Sequence, residues 1–249
     1  MTQTPDMVHR CLPDWADASF EKIACGQTIG SWFVDAGDRR AVLKIDDAPR
    51  GAPFNTRHAE AQIQSSAVKQ DLANRVLYVT DTVLMTEYID GTVWSKDCLK
   101  DSANIEQLAI ALRKLHSLPL TGRTFDAPGA ARAYARGIVD GDEAKIRDCL
   151  RKVDGGPLPP NLCCCHNDLV VANILNTPEI RFLDWEYACD NDPFFDLATI
   201  AAHHALSEGQ RTTLLDAYFD GNGSRWREQL QRQSEVYEAL LHLWEQSRD

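Results

Sequence analysis

The sequence predicts an α+β fold in two lobes, a small β-rich N-lobe over residues 1–90 and a larger, mainly helical C-lobe over residues 91–249. Three observations carry this expectation. Before Gly91, β-branched and aromatic runs surround a single helical stretch. After it, apolar residues recur at helical spacing. Late in the chain, two short apolar runs flank a loop dense in carboxylates and amides.

In chain order, residues 31–35 and 40–45 read as strands joined through Ala36-Gly37-Asp38. Residues 56–72 read as a helix with Ala59, Ile63 and Ala67 on one face. Residues 76–79 and 82–89 are the next two strands. Ile105, Leu108, Leu112 and Leu115 then mark an amphipathic helix ending near Pro119. Residues 121–130 and 154–161, rich in Gly, Pro and Asp, are expected to be loops. Residues 162–165 and 180–183 read as buried strands, with 176–179 as the hairpin turn before the second. Residues 196–206 and 210–219 look helical, and Trp226, Leu230, Tyr237, Leu241 and Trp244 recur as the stripe of a last helix. There is no internal repeat and no low-complexity tract.

Composition narrows the function classes. A chain of 249 residues with 44% hydrophobic and 25% charged residues is ordinary for a soluble globular protein. A formal net charge of −11 opposes nucleic-acid binding, which needs a basic stripe, and favours a cationic small molecule through long-range attraction. The first 20 residues lack an apolar signal core and no run has the length of a membrane span, so a cytoplasmic protein without membrane insertion is expected. The eight cysteines lack paired metal-ligand spacing; reduced, buried thiols are expected, and no zinc site.

The chemistry sits in His166-Asn167-Asp168-Leu169, followed by Asn173 and, beyond the hairpin, Asp184. An H-x-D-x-x-x-x-N loop before a second carboxylate is how kinase folds handle a nucleotide triphosphate, magnesium and an acceptor hydroxyl. Phosphoryl transfer needs an oriented acceptor and neutralised phosphates more than covalent help. Asp168 is the candidate catalytic base; Asn173 and Asp184 carry oxygen donors of the kind magnesium takes. Turn-forming Asp and Asn beside a packed loop histidine are the alternative, and the flanking buried strands weigh against it.

Residues 165–199 resemble the aminoglycoside phosphotransferase and choline kinase superfamily, whose fold is related to that of protein kinases. Asp184-Trp185-Glu186-Tyr187-Ala188 and Asp192-Pro193-Phe194-Phe195-Asp196-Leu197-Ala198 resemble its bacterial choline, ethanolamine and thiamine kinase branch, and a weaker likeness runs from Phe20 to Trp244. Ala172 departs from the glycine that relatives often carry before the loop asparagine. The resemblance implies a two-lobed protein-kinase-like fold with ATP and Mg2+ as cofactors. It implies that Lys44 binds the phosphates, held by Glu60, although a solvent-facing lysine and an ordinary helix-face glutamate fit the same positions. Gly26 and Gly30 would bound the turn over the phosphates, or an ordinary hairpin. The backbone of Glu87 and Ile89 would meet the adenine edge in the hinge. Asp196 would brace the catalytic loop, or interact with its own helix dipole.

The same resemblance implies a small cationic alcohol as acceptor, choline or ethanolamine in the first place. Glu186 and Tyr187 would face its cationic headgroup, through charge and ring quadrupole. Trp244 matches one of two caging tryptophans and also falls on the helix stripe; Leu241 stands where the other would be. Thiamine is the alternative acceptor, then an aminoglycoside, then a non-catalytic kinase-like binding protein. Retention of Lys44, Asp168 and Asp184 together favours the enzyme. A protein-directed kinase is opposed by the missing activation-segment pattern between Asp184 and Asp196.

Overall fold

Period-two alternation builds the N-lobe of the computed structural model, which describes residues 12–23, 30–157 and 161–248. Strands β1 (Ser19–Lys22), β2 (Ser31–Asp35), β3 (Arg40–Ile45), β4 (Val76–Val79) and β5 (Val83–Glu87) form one antiparallel sheet in the order β1-β2-β3-β5-β4. Ala41, Leu43 and Ile45 of β3 enter a small core with Trp15, Val34, Val83 and Met85, which turns Lys44 to the opposite face. Helix α1 (Arg57–Val68) lies on that face. Thr56 caps it, its hydroxyl accepting the Ala59 N–H at 3.2 Å. The helix ends short of the expected residue 72: Asp71 takes a left-handed φ of 58° and the Leu72 N–H returns to the Ala67 carbonyl. Its buried face is Glu60, Ile63, Gln64 and Ala67, with Ala59 at the margin.

In the C-lobe, β8 (Ile174–Asn176) and β9 (Ile180–Phe182) form the expected hairpin, Asn176 opposite Ile180, and β6 (Thr92–Val93) flanks β8. Strand β7 (Cys163–Cys165) pairs with β10 (Cys189–Asn191); Leu162, expected in the strand, is exposed beside it. Helix α2 (Ser102–His116) buries Ile105, Leu108, Leu112 and Leu115 as their spacing requires. Helix α3 (Ala127–Gly137) begins inside a stretch read as loop. Pro128 sits in its first turn, where an N–H has no intrahelical partner anyway, and Asp126 caps the Gly129 N–H at 2.9 Å. Helix α4 (Glu143–Asp154) follows, and α5 (Pro193–His203) likewise opens on a proline, three residues before the expected start. A reciprocal Ser207–Gln210 capping box opens α6 (Glu208–Tyr218).

The last helix, α7 (Arg227–Gln246), buries Leu230, Val236, Tyr237, Leu240 and Leu243. The core stripe is therefore offset from the one read in the sequence: Leu241 and Trp244 are half-buried and Trp226 precedes the helix. Both rows satisfy a period of about 3.6. Packing of α3, α4 and α5 against α7 selects the row through Leu240 and Leu243. Among the described residues no helix is long and apolar enough to cross a membrane. Leu243→Ala should lower the unfolding free energy by about 2–5 kcal/mol, and Trp244→Ala by less, in urea titrations of the two variants.

Candidate active site

The candidate loop is held by a buried carboxylate. Asp196, in the first turn of α5, accepts the backbone N–H of His166 at 2.9 Å and of Asn167 at 2.8 Å. This supports the left-handed turn at Asn167, whose φ is 65°. His116, from α2, donates from Nε2 to Asp196 at 3.1 Å, and its Nδ1 is hydrogen-bonded to the Tyr218 hydroxyl at 2.6 Å. Donor atoms of His116, Cys163 and Cys165 lie within 4.8 Å of one another. Both imidazole nitrogens are already engaged, so this cluster is a hydrogen-bonded part of the core. His166 donates from Nε2 to the Leu183 carbonyl at 2.9 Å, and burial lowers its pKa, so the ring is neutral. Asn167 spans the site: its amide N–H2 reaches the Tyr187 and Cys189 carbonyls, and its oxygen accepts from Asn191 at 2.7 Å.

Beyond this anchored turn stands Asp168. Asn173 donates from Nδ2 to the Asp168 carboxylate at 2.9 Å and to its carbonyl at 2.8 Å. Burial, then repulsion from Asp184 and Glu186, pushes the Asp168 carboxyl up to about 8 against the pull of the Asn173 hydrogen bond. The Leu183 N–H donates to the Asn173 carbonyl at 2.9 Å, extending the β8–β9 ladder by one step and setting Asp184 beside Asn173. Asp184 itself is left-handed, φ 65° and ψ 71°. Its Oδ2 and the Asn173 Oδ1 meet no protein donor among the described residues. Two free oxygens on adjacent backbone positions fit a hard divalent cation.

Lys44 crosses from the sheet to this loop. Its Nζ lies 2.6 Å from Asp184 Oδ1 and 3.6 Å from Glu60 Oε1. Burial opposes the charged lysine, but Asp184, Glu60 and Glu186 outweigh it and hold its pKa above the ordinary value. Burial likewise opposes the Asp184 carboxylate, and Lys44 outweighs it and holds that pKa low. Both partners are therefore charged. Glu60 gives its second oxygen to Arg57, 2.8 Å away, and Arg57, fully buried, closes on Asp46 at 2.6 and 2.9 Å. Arg57 was missed by pattern reading; its three-residue spacing to Glu60 is the signal that points to it.

The expected headgroup residues are also placed here, with one unforeseen partner. Glu186 is buried, and its carboxylate pairs with Arg50 from the segment between β3 and α1. Burial and repulsion from Asp184 nonetheless hold Glu186 above the ordinary carboxylate range, ahead of the opposing pull of Lys44 and Arg50. The Tyr187 ring packs against Phe54 with centroids 4.9 Å apart. Asn55, another residue missed, fastens this turn: its N–H donates to the Glu186 carbonyl and its amide to the Trp185 and Ala188 carbonyls.

The remaining candidates lie further out. Gly30 has φ +80°, and a Cβ there would sit 2.9 Å from the Ile45 carbonyl, so the turn into β2 requires glycine. Gly26 lies outside the described residues. The Glu87 N–H donates to Arg75 and its carbonyl accepts from Asn74, whereas among the described residues neither backbone group of Ile89 is engaged. Trp244 is half-buried, with the Arg248 guanidinium 4.8 Å from its ring centroid.

Residues 20–232 match the model of a family described as phosphotransferase enzymes. Thiamine kinase of Salmonella heidelberg is 30% identical over 223 residues, 86% of this chain and 75% of the relative. Thiamine kinase of Salmonella typhimurium is 31% identical over the same shares. A choline/ethanolamine kinase family protein from Mesorhizobium loti superposes with a TM-score of 0.70 at 26% identity, covering 91% of this chain and 78% of that one. Choline kinase LicA from Streptococcus pneumoniae superposes with a TM-score of 0.76 at 20% identity, over 92% and 85% of the two chains, a likeness of fold alone. The chain belongs to the phosphotransferase enzyme family whose kinase-like fold these structures share, and it is a small-molecule phosphotransferase.

Proposed function

We propose that this phosphotransferase moves the γ-phosphoryl group of ATP to the hydroxyl of a small cationic alcohol. The observation that carries the reading is the convergence of Lys44, Asp168, Asn173 and Asp184 in one cleft. Asp168 orients the acceptor hydroxyl and takes its proton; a carboxyl raised towards neutrality is the better base at working pH. Lys44, now on Asp184, exchanges that partner for phosphate oxygens when nucleotide enters, with Glu60 as its second support. Asn173 and Asp184 would hold magnesium, which when bound neutralises charge on the phosphates. Ile89, whose backbone groups are unengaged among the described residues, is better suited than Glu87 to meet the base edge. Most of the rate gain comes from positioning and charge stabilisation.

Thiamine has the stronger support among acceptors, because relatives at 30–31% identity over 86% of the chain carry that name. The paired rings of Phe54 and Tyr187 beside Glu186 suit a flat cationic ring. Choline or ethanolamine is the second reading, supported by the Mesorhizobium loti protein at 26% identity. In a coupled ADP-release assay, thiamine should give the highest kcat/KM among thiamine, choline, ethanolamine and several amino sugars. Failure of every alcohol to stimulate ADP release rejects the kinase reading.

Asp168→Ala should lower kcat by about 10²–10⁴ while leaving nucleotide affinity near that of the parent, whereas Asp184→Ala should remove metal-dependent nucleotide binding. Asp168 also makes a pH prediction. Its pKa rises from the ordinary 3.8 to about 8 on folding, so its contribution to stability is present at low pH and is lost as pH rises through about 8. Asp168→Asn lacks this loss. In chelator-treated protein, the Tm difference between Asp168→Asn and the parent should grow in favour of the variant from acid to mildly alkaline pH.

A further inference from the structure

Arg50 has no place in the chemistry above, yet it fills the position that a cationic acceptor needs. Its Nη1 pairs with Glu186, its Nε is anchored on Asp46 at 2.8 Å, and its guanidinium carbon stands 5.3 Å from the Phe54 ring centroid. Phe54 in turn packs on Tyr187. A carboxylate with an aromatic wall is the arrangement that attracts an organic cation, and here the protein's own cation occupies it. The Arg50 and Glu186 side chains are only 13% and 11% exposed, so the pair is little screened by water.

We propose that Arg50 is a specificity-determining residue: a tethered cation that neutralises Glu186 in the empty cleft and is displaced by the cation of the acceptor. This rests on the cationic-alcohol reading and adds the residue against which the acceptor competes. Exchange of one monovalent cation for another keeps the charge of the buried carboxylate balanced. A neutral acceptor cannot make that exchange, because it would leave Glu186 buried and unpaired. Asp46 makes the exchange local. It is held independently by two Arg57 hydrogen bonds, so Arg50 can swing its tip from Glu186 while its Nε anchor remains. The same competition weakens cationic acceptors relative to a cleft without Arg50.

The test is calorimetric, with full-length protein, Mg2+ and a non-hydrolysable ATP analogue at pH 8. Two matched pairs are titrated: thiamine with its neutral 3-deaza analogue, and choline with its neutral isostere 3,3-dimethylbutan-1-ol. Arg50→Met should tighten the cation of at least one pair by about tenfold and leave its neutral partner nearly unchanged. Arg50→Lys, which keeps a tethered cation, should stay near the parent. Should Arg50→Met fail to fold, Arg50→Gln takes its place with the same expectation. A cation affinity that is unchanged or weaker without the guanidinium overturns the proposal, since Arg50 would then orient Glu186 rather than compete for it. Absence of saturable cation binding in parent and variants overturns it as well, while ADP release with any alcohol leaves the kinase function standing. Cation exchange without turnover leaves Arg50 its role and removes the kinase function.

Discussion

The ion pair between Lys44 Nζ and Asp184 Oδ1, 2.6 Å apart, ties the sheet of one lobe to the hairpin loop of the other. Each partner is presented by a backbone constraint. Strict alternation on β3 turns Lys44 away from the small core, and a left-handed residue after β9 thrusts Asp184 out of the ladder. A part-buried ion pair of this kind adds little net stability, because desolvating both charges offsets most of their attraction. Its value is geometric. It joins the sheet to the hairpin loop at a defined register.

Around that pair the cleft holds more acid than base. Asp46, Glu60, Asp168, Asp184 and Glu186 face Lys44, Arg50 and Arg57, five carboxylates against three cations. Among the described residues each of these bases has at least one carboxylate within ion-pair distance, whereas the Asp168 carboxylate has the amide of Asn173. Burial, and then repulsion from Asp184 and Glu186, raises the Asp168 pKa, so the shortage of positive charge adds to a shift that desolvation leads. A divalent cation beside Asp184 would relieve the repulsive part of that shift.

What could be read in the sequence follows the range of the interaction involved. The loop from His166 to Asp184 was legible because its parts are close in the chain: strand, turn, strand, with carboxylates at fixed offsets. Helix α2 was legible because a single neighbour row fits its period. Helix α7 was legible as a helix, but its buried row was not, because two rows fit the same period and distant helices choose between them. The start of α3 was masked by Pro128 and Gly129, which count as loop formers until Asp126 is recognised as a cap. Pairings between distant segments left no local mark. Nothing near Asp196 announces His116, and nothing near Glu186 announces Arg50.

This division has a consequence for how the family can diversify. The loop that carries Asp168, Asn173 and Asp184 is one contiguous segment, locked by the buried Asp196 carboxylate that gives both oxygens to consecutive amides of the turn. The wall beside Glu186 is assembled from Arg50 and Phe54 between β3 and α1 and from Tyr187 after β9. Exchanging a residue in the β3–α1 segment changes charge and shape at Glu186 without disturbing the hydrogen bonds that hold Asp168. The proposed acceptor-facing wall is thus built from side chains that converge only in three dimensions. Arg50, proposed to bear on acceptor choice, lies far from the proposed catalytic motif in the chain and meets it through Glu186.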